Sequence, residues 1–178
     1  MPLAGKTVDL LWLAEQGYSV LAVELVELAV KAFFDEHRLP HEVTGSGPLK
    51  RYRAQDRAIT VYQGDVFALG AEELDEVDWV HDRAAVVALP AEMRARYGAH
   101  LSAVLPSRAE LLVTTFEYEQ SRMDGPPFSV PLAEVEQVFS AFRFDHLRTR
   151  DLEVLARLEG GVIAEHVYRG RRQKEPER

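Results

Sequence analysis

Residues 18–24, Tyr-Ser-Val-Leu-Ala-Val-Glu, form an apolar run that ends on an acidic residue. Such a run is typical of a buried strand in a parallel sheet. Ligands bind at the carboxyl ends of strands in open parallel sheets, which is where Glu24 lies. Gly5 precedes it by about twenty positions, and an acid at that distance from a glycine-bearing turn can hold the two hydroxyls of a ribose. A purely solvated Glu24 and a Gly5 that only makes a turn are the competing interpretations.

The rest of the chain alternates between helical and extended patterns. Apolar residues at helical spacing predict helices at 8–16, 25–37, 90–105 and 132–141. Apolar runs predict further strands at 58–62, 78–80 and 110–117, and a closing antiparallel pair at 142–155 and 162–168. Polar stretches predict loops at 72–76 and 121–127, and at 41–57 a loop with at most a short irregular strand.

These elements predict one α/β domain over residues 1–178. We expect a mostly parallel sheet with an antiparallel hairpin at its C-terminal edge, followed by a charged, frayed tail at 169–178. The core is expected to include Trp12, Trp79, Phe33 and Phe34.

Composition excludes several classes of protein. The 178 residues carry 21 basic and 29 acidic side chains, a net charge of −8, which argues against a nucleic-acid partner. There is no cysteine, so a disulfide scaffold and a thiolate site are excluded. No apolar run approaches the roughly 18 residues that span a bilayer, and the first residues lack the apolar core of a signal peptide. We expect a cytoplasmic protein without a membrane partner.

Two further positions follow predicted strands. Asp65 comes after the strand at 58–62, where a carboxylate could accept a hydrogen bond from an adenine amino group. It could equally cap a short turn at 66–69. Arg83 comes after the strand at 78–80 and could contact a ligand or pair with its neighbour Asp82.

Other common sites have no sequence support. The six histidines form no HxH or HExxH pattern, so no metal site is predicted. No serine lies in a GxSxG frame, and neither a GxGxxG nor a Walker loop is present. We therefore assign no catalytic nucleophile or base.

Several segments together resemble one known family. Residues 2–17 read PLAGKTVDLLWLAEQG, 23–28 read VELVEL, 62–67 read YQGDVF, 78–85 read DWVHDRAA and 124–130 read DGPPFSV. In order and spacing they are similar to the motifs of the thiopurine S-methyltransferase family, in its bacterial form. The resemblance weakens after Phe142 and returns at 165–168, EHVY.

The resemblance implies a class I, Rossmann-like methyltransferase fold with S-adenosylmethionine as the cofactor. It places cofactor contacts at Leu3, Glu24, Asp65, Val66 and Arg83, in addition to the Gly5 turn. It places acceptor contacts at Arg83 and Phe128. The implied reaction is methyl transfer to an aromatic or heterocyclic thiol, or to selenium or tellurium species, by a monomer.

The chain also departs from the family pattern. Ala4 stands where the family has cysteine, and the family's N-terminal covering helix and most of its first strand have no counterpart before Gly5. This favours, as the alternative, a non-catalytic relative that binds S-adenosylmethionine or S-adenosylhomocysteine. A third alternative is a methyltransferase that acts on oxygen or nitrogen.

Overall fold

The structure is a computed structural model that describes residues 1–45, 47–152 and 163–173. Its internal packing divides the chain into two units, Met1–Gly70 and Ala71–Arg178. Each unit has its own four-stranded sheet with helices. Among the described residues, no helix combines the length and the apolar character needed to cross a membrane.

Over residues 1–45 and 47–70, the first unit has two α-helices and four strands. They are α1 (Asp9–Glu15), β1 (Val20–Glu24), α2 (Glu27–Glu36), β2 (His41–Thr44), β3 (Leu49–Ala54) and β4 (Ile59–Gly64), followed by a short 3₁₀ helix at Val66–Ala68. The strand order is β1-β4-β3-β2. β1 and β4 are parallel, whereas β3 is antiparallel to both of its neighbours.

Aromatic side chains from α2 form the centre of the first unit's core. Phe33 and Phe34 are buried with their rings edge to face, 5.4 Å apart between centroids. Tyr52 of β3 stacks on Phe34 at 5.9 Å. Burial of these large rings provides most of the driving force for packing α2 on the sheet. The prediction that both phenylalanines lie in the core is confirmed.

In the described residues of the second unit there are four helices and four strands. They are α3 (Ala71–Leu74), β5 (Trp79–Asp82), α4 (Ala85–Ala88), α5 (Ala91–Val104), β6 (Glu110–Glu117), α6 (Leu132–Val138), β7 (Phe142–Asp151) and β8 (Ala164–Arg172), with a 3₁₀ turn at Gln120–Arg122. The strand order is β5-β6-β8-β7. β5 and β6 are parallel, and β8 is antiparallel to both β6 and β7. Tyr97, Phe139 and Phe144 pack on this sheet.

The alternation of helices and strands agrees with the predicted α/β class, and β7 with β8 is the predicted antiparallel edge pair. Both sheets are mixed rather than mostly parallel, since four of the six ladders are antiparallel. One reason is the β2–β3 hairpin, where we predicted a loop. β3 alternates exposed arginines with the buried Tyr52 and Ala54, and β2 has no buried residue, so the two strands show too few apolar residues for a strand pattern.

Three further predictions are wrong. The charged tail is not frayed at Arg169–Arg172, because these residues complete β8 and Arg169 forms an ion pair with Glu110 across the sheet. Trp12 and Trp79 are 58% and 50% exposed rather than core residues. The acidic stretch at 72–76 contains helix α3 rather than only loop. The predicted strand ends at 153–155 and 162, and the tail at 174–178, lie outside the described residues.

Gly64 ends β4 where the hairpin leaves no room for a side chain. Its φ is +149°, and a Cβ built there would lie 2.3 Å from the carbonyl oxygen of Pro48. We expect Gly64→Ala to lower the free energy of unfolding by about 1–3 kcal/mol, because the hairpin must move away. Urea unfolding would measure this, with Gly47→Ala as the control, since a Cβ at Gly47 meets nothing within 4 Å. Equal stability of the two variants would contradict the prediction.

Candidate functional site

Glu24, the last residue of β1, is buried and hydrogen-bonded rather than solvated. Its carboxylate is bonded on both sides by backbone amides: Oε2 accepts from the N–H of Gly5 at 2.7 Å, and Oε1 accepts from the N–H of Val26 at 2.8 Å. The residue is 8% exposed. Glu24 therefore connects the turn before α1 to the segment that begins α2.

The segment before α1 runs beside the carboxyl end of β1. Pro2 pairs in parallel with Val23, and the N–H of Ala4 donates to the carbonyl of Val23 at 3.1 Å. The chain then turns sharply, with φ of +48° at Leu3 and +56° at Gly5. A Cβ at Gly5 would meet nothing within 4 Å, so the backbone there is open to close approach by a ligand.

Asp65 follows the end of β4, the strand that pairs in parallel with β1. Its Oδ1 accepts a hydrogen bond from the N–H of Phe67 at 3.0 Å, so it caps the short 3₁₀ helix. The capping role that the sequence left open is therefore present. Asp65 is exposed, and the next residue, Val66, is buried.

The structure thus brings five predicted site residues to one edge of the first unit. They are Leu3, Gly5, Glu24, Asp65 and Val66. Glu24 lies opposite Gln63 in the parallel ladder of β1 and β4, so the carboxyl ends of these two strands, which carry Glu24 and Asp65, are neighbours. An ionised carboxylate can accept about four hydrogen bonds, so both acids can accept more than their backbone contacts. Two carboxylate acceptors suit the hydroxyl and amino donors of an adenosine, and these residues therefore fit S-adenosylmethionine.

The predicted acceptor contacts, Arg83 and Phe128, lie in the second unit, so the cofactor contact predicted at Arg83 belongs to a different unit from the five in the first. Arg83 is exposed and directly follows β5. Phe128 is half-buried in the loop after β6, and its N–H donates to the carbonyl of Val87 in α4 at 2.6 Å. The same loop pairs in parallel with the end of β6 through Ser129 and Phe116. Both residues are therefore attached to the carboxyl end of the parallel β5–β6 pair.

Asp82, next to Arg83, is buried beneath this end of the sheet and was not predicted as a site residue. Its Oδ1 accepts from the N–H groups of Ala85 and Val86 at 3.0 and 3.1 Å, and its Oδ2 accepts from the Tyr97 hydroxyl at 2.8 Å. It is 1% exposed. Burial raises the pKa of Asp82 above its ordinary value and raises the pKa of Tyr97 well above its own.

Arg94 of α5 was also missed. The residue is 6% exposed, and its guanidinium donates to Leu89 and Glu134 and lies 5.5 Å from the centroid of the Phe128 ring. Asp82 could have been noticed because it belongs to the DRAA segment. For Arg94 there was no comparable signal in the sequence, because a charged residue is expected on the exposed face of an amphipathic helix.

No metal centre accompanies these residues. Within the part of the chain that the structure describes, no group of three or more His, Asp or Glu side chains is arranged to hold a metal ion.

Comparison with known proteins agrees with these features. The sequence model of the thiopurine S-methyltransferase (TPMT) family matches residues 1–173. A thiopurine S-methyltransferase of Pseudomonas entomophila is 46% identical over 175 residues, which are 95% of this chain and 79% of that protein. One from Pseudomonas aeruginosa is 50% identical over 153 residues, which are 85% of this chain and 69% of that protein.

A solved structure shows the same fold. The crystal structure of a SAM-dependent methyltransferase from Methanosarcina mazei superposes with a TM-score of 0.67 at 14% identity, covering 97% of this chain and 91% of that one. The predicted α/β methyltransferase fold, the enzyme class and the cofactor S-adenosylmethionine are confirmed. The chain belongs to the thiopurine S-methyltransferase family.

Proposed function

We propose that this methyltransferase acts on a thiol carried by an aromatic or heterocyclic ring. The observation that carries the proposal lies in the second unit. An exposed guanidinium, Arg83, and a half-buried aromatic ring, Phe128, are both attached to the carboxyl end of the β5–β6 pair. A cation suits an ionised sulfur, and an aromatic face suits a planar ring. The relatives' name, thiopurine S-methyltransferase, agrees with such an acceptor.

The first unit would bind the cofactor. We assign the ribose hydroxyls to the Glu24 carboxylate and the adenine amino group to Asp65. Val66 would pack against the adenine base, and the turn at Leu3 and Gly5 would lie along the rest of the cofactor. When bound, S-adenosylmethionine supplies a methyl group already activated on a sulfonium.

The acceptor needs little chemical help from the protein. Heterocyclic thiols ionise readily, and the thiolate is a soft nucleophile, so alignment is the main requirement. Arg83 would favour the ionised thiol by its charge. An oxygen or nitrogen acceptor would usually need a base beside it, and neither Arg83 nor Phe128 can serve as one.

Selenium or tellurium species are a second class of acceptor, since they too are soft nucleophiles. The two classes are separated by incubating the protein with S-adenosylmethionine and either an aromatic thiol or a reduced selenium compound, and detecting the methylated product by mass spectrometry. Membership of an enzyme family argues against the non-catalytic alternative. A single domain over 1–178, a monomeric state and a cytoplasmic location stay predictions.

Replacing Arg83 by lysine tests its role. We expect Arg83→Lys to lower kcat/KM for an aromatic thiol about tenfold, equivalent to roughly 1.4 kcal/mol. Lysine keeps the positive charge but loses the planar guanidinium and its fixed arrangement of N–H donors. Affinity for S-adenosylhomocysteine, measured by calorimetry, should change less than the rate. Arg143→Lys, at an exposed position of β7, is the control. Unchanged kinetics in Arg83→Lys would remove Arg83 from the acceptor site.

A further inference from the structure

One turn of α5 carries two buried polar side chains that donate hydrogen bonds to residues on either side of α4, Asp82 before it and Leu89 after it. Arg94 and Tyr97 are three residues apart, so they project from the same side of the helix. They are 6% and 0% exposed. α4 is the four-residue helix Ala85–Ala88, which directly follows the Arg83 segment and accepts the Phe128 hydrogen bond.

Tyr97 acts on the beginning of α4 through Asp82. The Tyr97 hydroxyl donates to Oδ2 of Asp82, while Oδ1 accepts from the first two N–H groups of α4. Arg83 lies between Asp82 and this helix. The three hydrogen bonds therefore fix the backbone on both sides of Arg83.

Arg94 acts on the other end of α4 and on Phe128. Its Nη1 donates to the carbonyl of Leu89, the residue that ends α4, at 2.6 Å. Its Nε donates to Oε1 of Glu134 in α6 at 2.8 Å. The guanidinium lies over the ring of Phe128, whose N–H is bonded to Val87 within α4. Arg94 thus supports the Phe128 ring and the helix to which its backbone is attached.

General stability does not explain this arrangement. A buried guanidinium and a buried phenol need many partners, and apolar residues of similar volume often stabilise such positions equally well or better. The contact between α5 and α6 is already close without them, since a Cβ at Gly98 would lie 1.8 Å from the carbonyl oxygen of Val138. The polar pair adds fixed hydrogen-bond directions, which apolar packing does not supply.

We propose that Arg94 and Tyr97 are positioning residues for the acceptor. Tyr97 orients Arg83 through Asp82, and Arg94 orients the ring of Phe128. This inference rests on the proposed function, because it takes Arg83 and Phe128 as the acceptor contacts.

Double-mutant cycles with an aromatic thiol as the acceptor test the proposal. Tyr97→Phe and Arg94→Lys are each expected to raise the acceptor KM about 5- to 20-fold and to leave the affinity for S-adenosylhomocysteine within twofold. In an Arg83→Lys background, Tyr97→Phe should raise the acceptor KM no further. In a Phe128→Leu background, Arg94→Lys should raise it no further. The effects of the crossed pair, Tyr97→Phe and Phe128→Leu, on the free energy derived from the acceptor KM should be additive.

The controls separate positioning from folding. Tyr52→Phe removes another buried hydroxyl that donates to a glutamate, at 3.3 Å from Glu27, and should leave the acceptor KM unchanged. If Arg94→Lys does not fold, the double variant Arg94→Met with Glu134→Leu replaces the ion pair by apolar side chains. It should show the same rise in KM.

Two results would overturn the positioning roles of Arg94 and Tyr97, and one would overturn the proposed function on which those roles rest. Additive effects in the two matched backgrounds, or equal losses in acceptor and cofactor affinity, would show a general structural role. If the wild type binds S-adenosylhomocysteine but methylates no thiol, the proposed function fails, and the positioning roles fail with it.

Discussion

Replacing Glu24 by alanine is expected to weaken the binding of S-adenosylhomocysteine about 10- to 100-fold, or roughly 1.4–2.7 kcal/mol. The free energy of unfolding should also fall, by about 2–4 kcal/mol, because the N–H groups of Gly5 and Val26 lose the carboxylate that accepts their hydrogen bonds. The loss of affinity has two sources. The ribose hydroxyls lose a charged acceptor, and the turn at Leu3 and Gly5 loses its connection to β1.

Two further variants separate these sources. Glu24→Gln keeps one oxygen acceptor and the side-chain volume, so it should recover part of the stability but little of the affinity. Glu36→Ala removes an exposed carboxylate that pairs with Lys6 at 2.6 Å, and it should change stability by less than about 1 kcal/mol. Calorimetry with the product and urea unfolding on the same preparations measure both effects. Equal affinity of wild type and Glu24→Ala would exclude Glu24 from the cofactor site.

The sequence predicted best those elements whose signal is local. β6 was predicted with its observed bounds, Glu110–Glu117, because a continuous apolar run needs no knowledge of its neighbours. The position of Glu24 at the end of β1 followed from the same kind of run. The β2–β3 hairpin was missed because its strands are half exposed, so their identity depends on pairing with β4.

Burial on helices was predicted less well. The apolar spacing that predicts the helix at 25–37 includes Leu25 and Leu28, which are exposed in the structure. α2 begins at Glu27, and its buried residues are Val30 together with Phe33 and Phe34, which were predicted. A helical pattern fixes which residues share a face, but it does not fix which of two apolar faces meets the sheet.

The parts of the site that were missed depend on distant partners. Asp82 and Tyr97 are 15 residues apart, and Arg94 and Glu134 are 40 apart. Asp82 belongs to the DRAA segment, but Arg94, Tyr97 and Glu134 read as ordinary polar positions in their own segments. Their roles follow only when α5 is packed against α4 and α6, which no pattern within one segment indicates. The sequence pointed to residues within the family motifs, whereas it gave no signal for Arg94 and Tyr97, which contact Phe128 and Asp82 in those motifs.

Replacing Asp82 should have the largest effect on the second unit. Asp82→Ala leaves the N–H groups of Ala85 and Val86 and the Tyr97 hydroxyl without their buried acceptor. We expect a loss of about 3–5 kcal/mol in the free energy of unfolding, measured by urea titration. Asp82→Asn keeps an oxygen for the two N–H groups, so it should be clearly more stable than Asp82→Ala. Similar stabilities for the two variants would mean that these hydrogen bonds contribute little.

The pH dependence of Asp82→Asn tests the buried carboxyl itself. Burial raises the pKa of Asp82 above its ordinary value of 3.8, against the opposing effect of its hydrogen bonds to Val86, Tyr97 and Ala85. The folded state therefore binds the Asp82 proton more tightly than the unfolded state. This contribution to stability is complete below pH 3.8 and is lost as the pH rises through the raised pKa of the folded state. Asparagine does not titrate, so Asp82→Asn should gain stability relative to the wild type over that window.

Urea unfolding of both proteins at a series of pH values measures this difference. Carboxyls whose pKa is lowered by cationic partners, such as Glu110 beside Arg169, make the folded state less stable as the pH falls. These carboxyls are present in both the wild type and Asp82→Asn. Their effects therefore cancel in the difference between the two free energies of unfolding, and only the titration of Asp82 is left. A difference in stability that stays constant from pH 3.8 upward would show that Asp82 has no raised pKa in the folded protein.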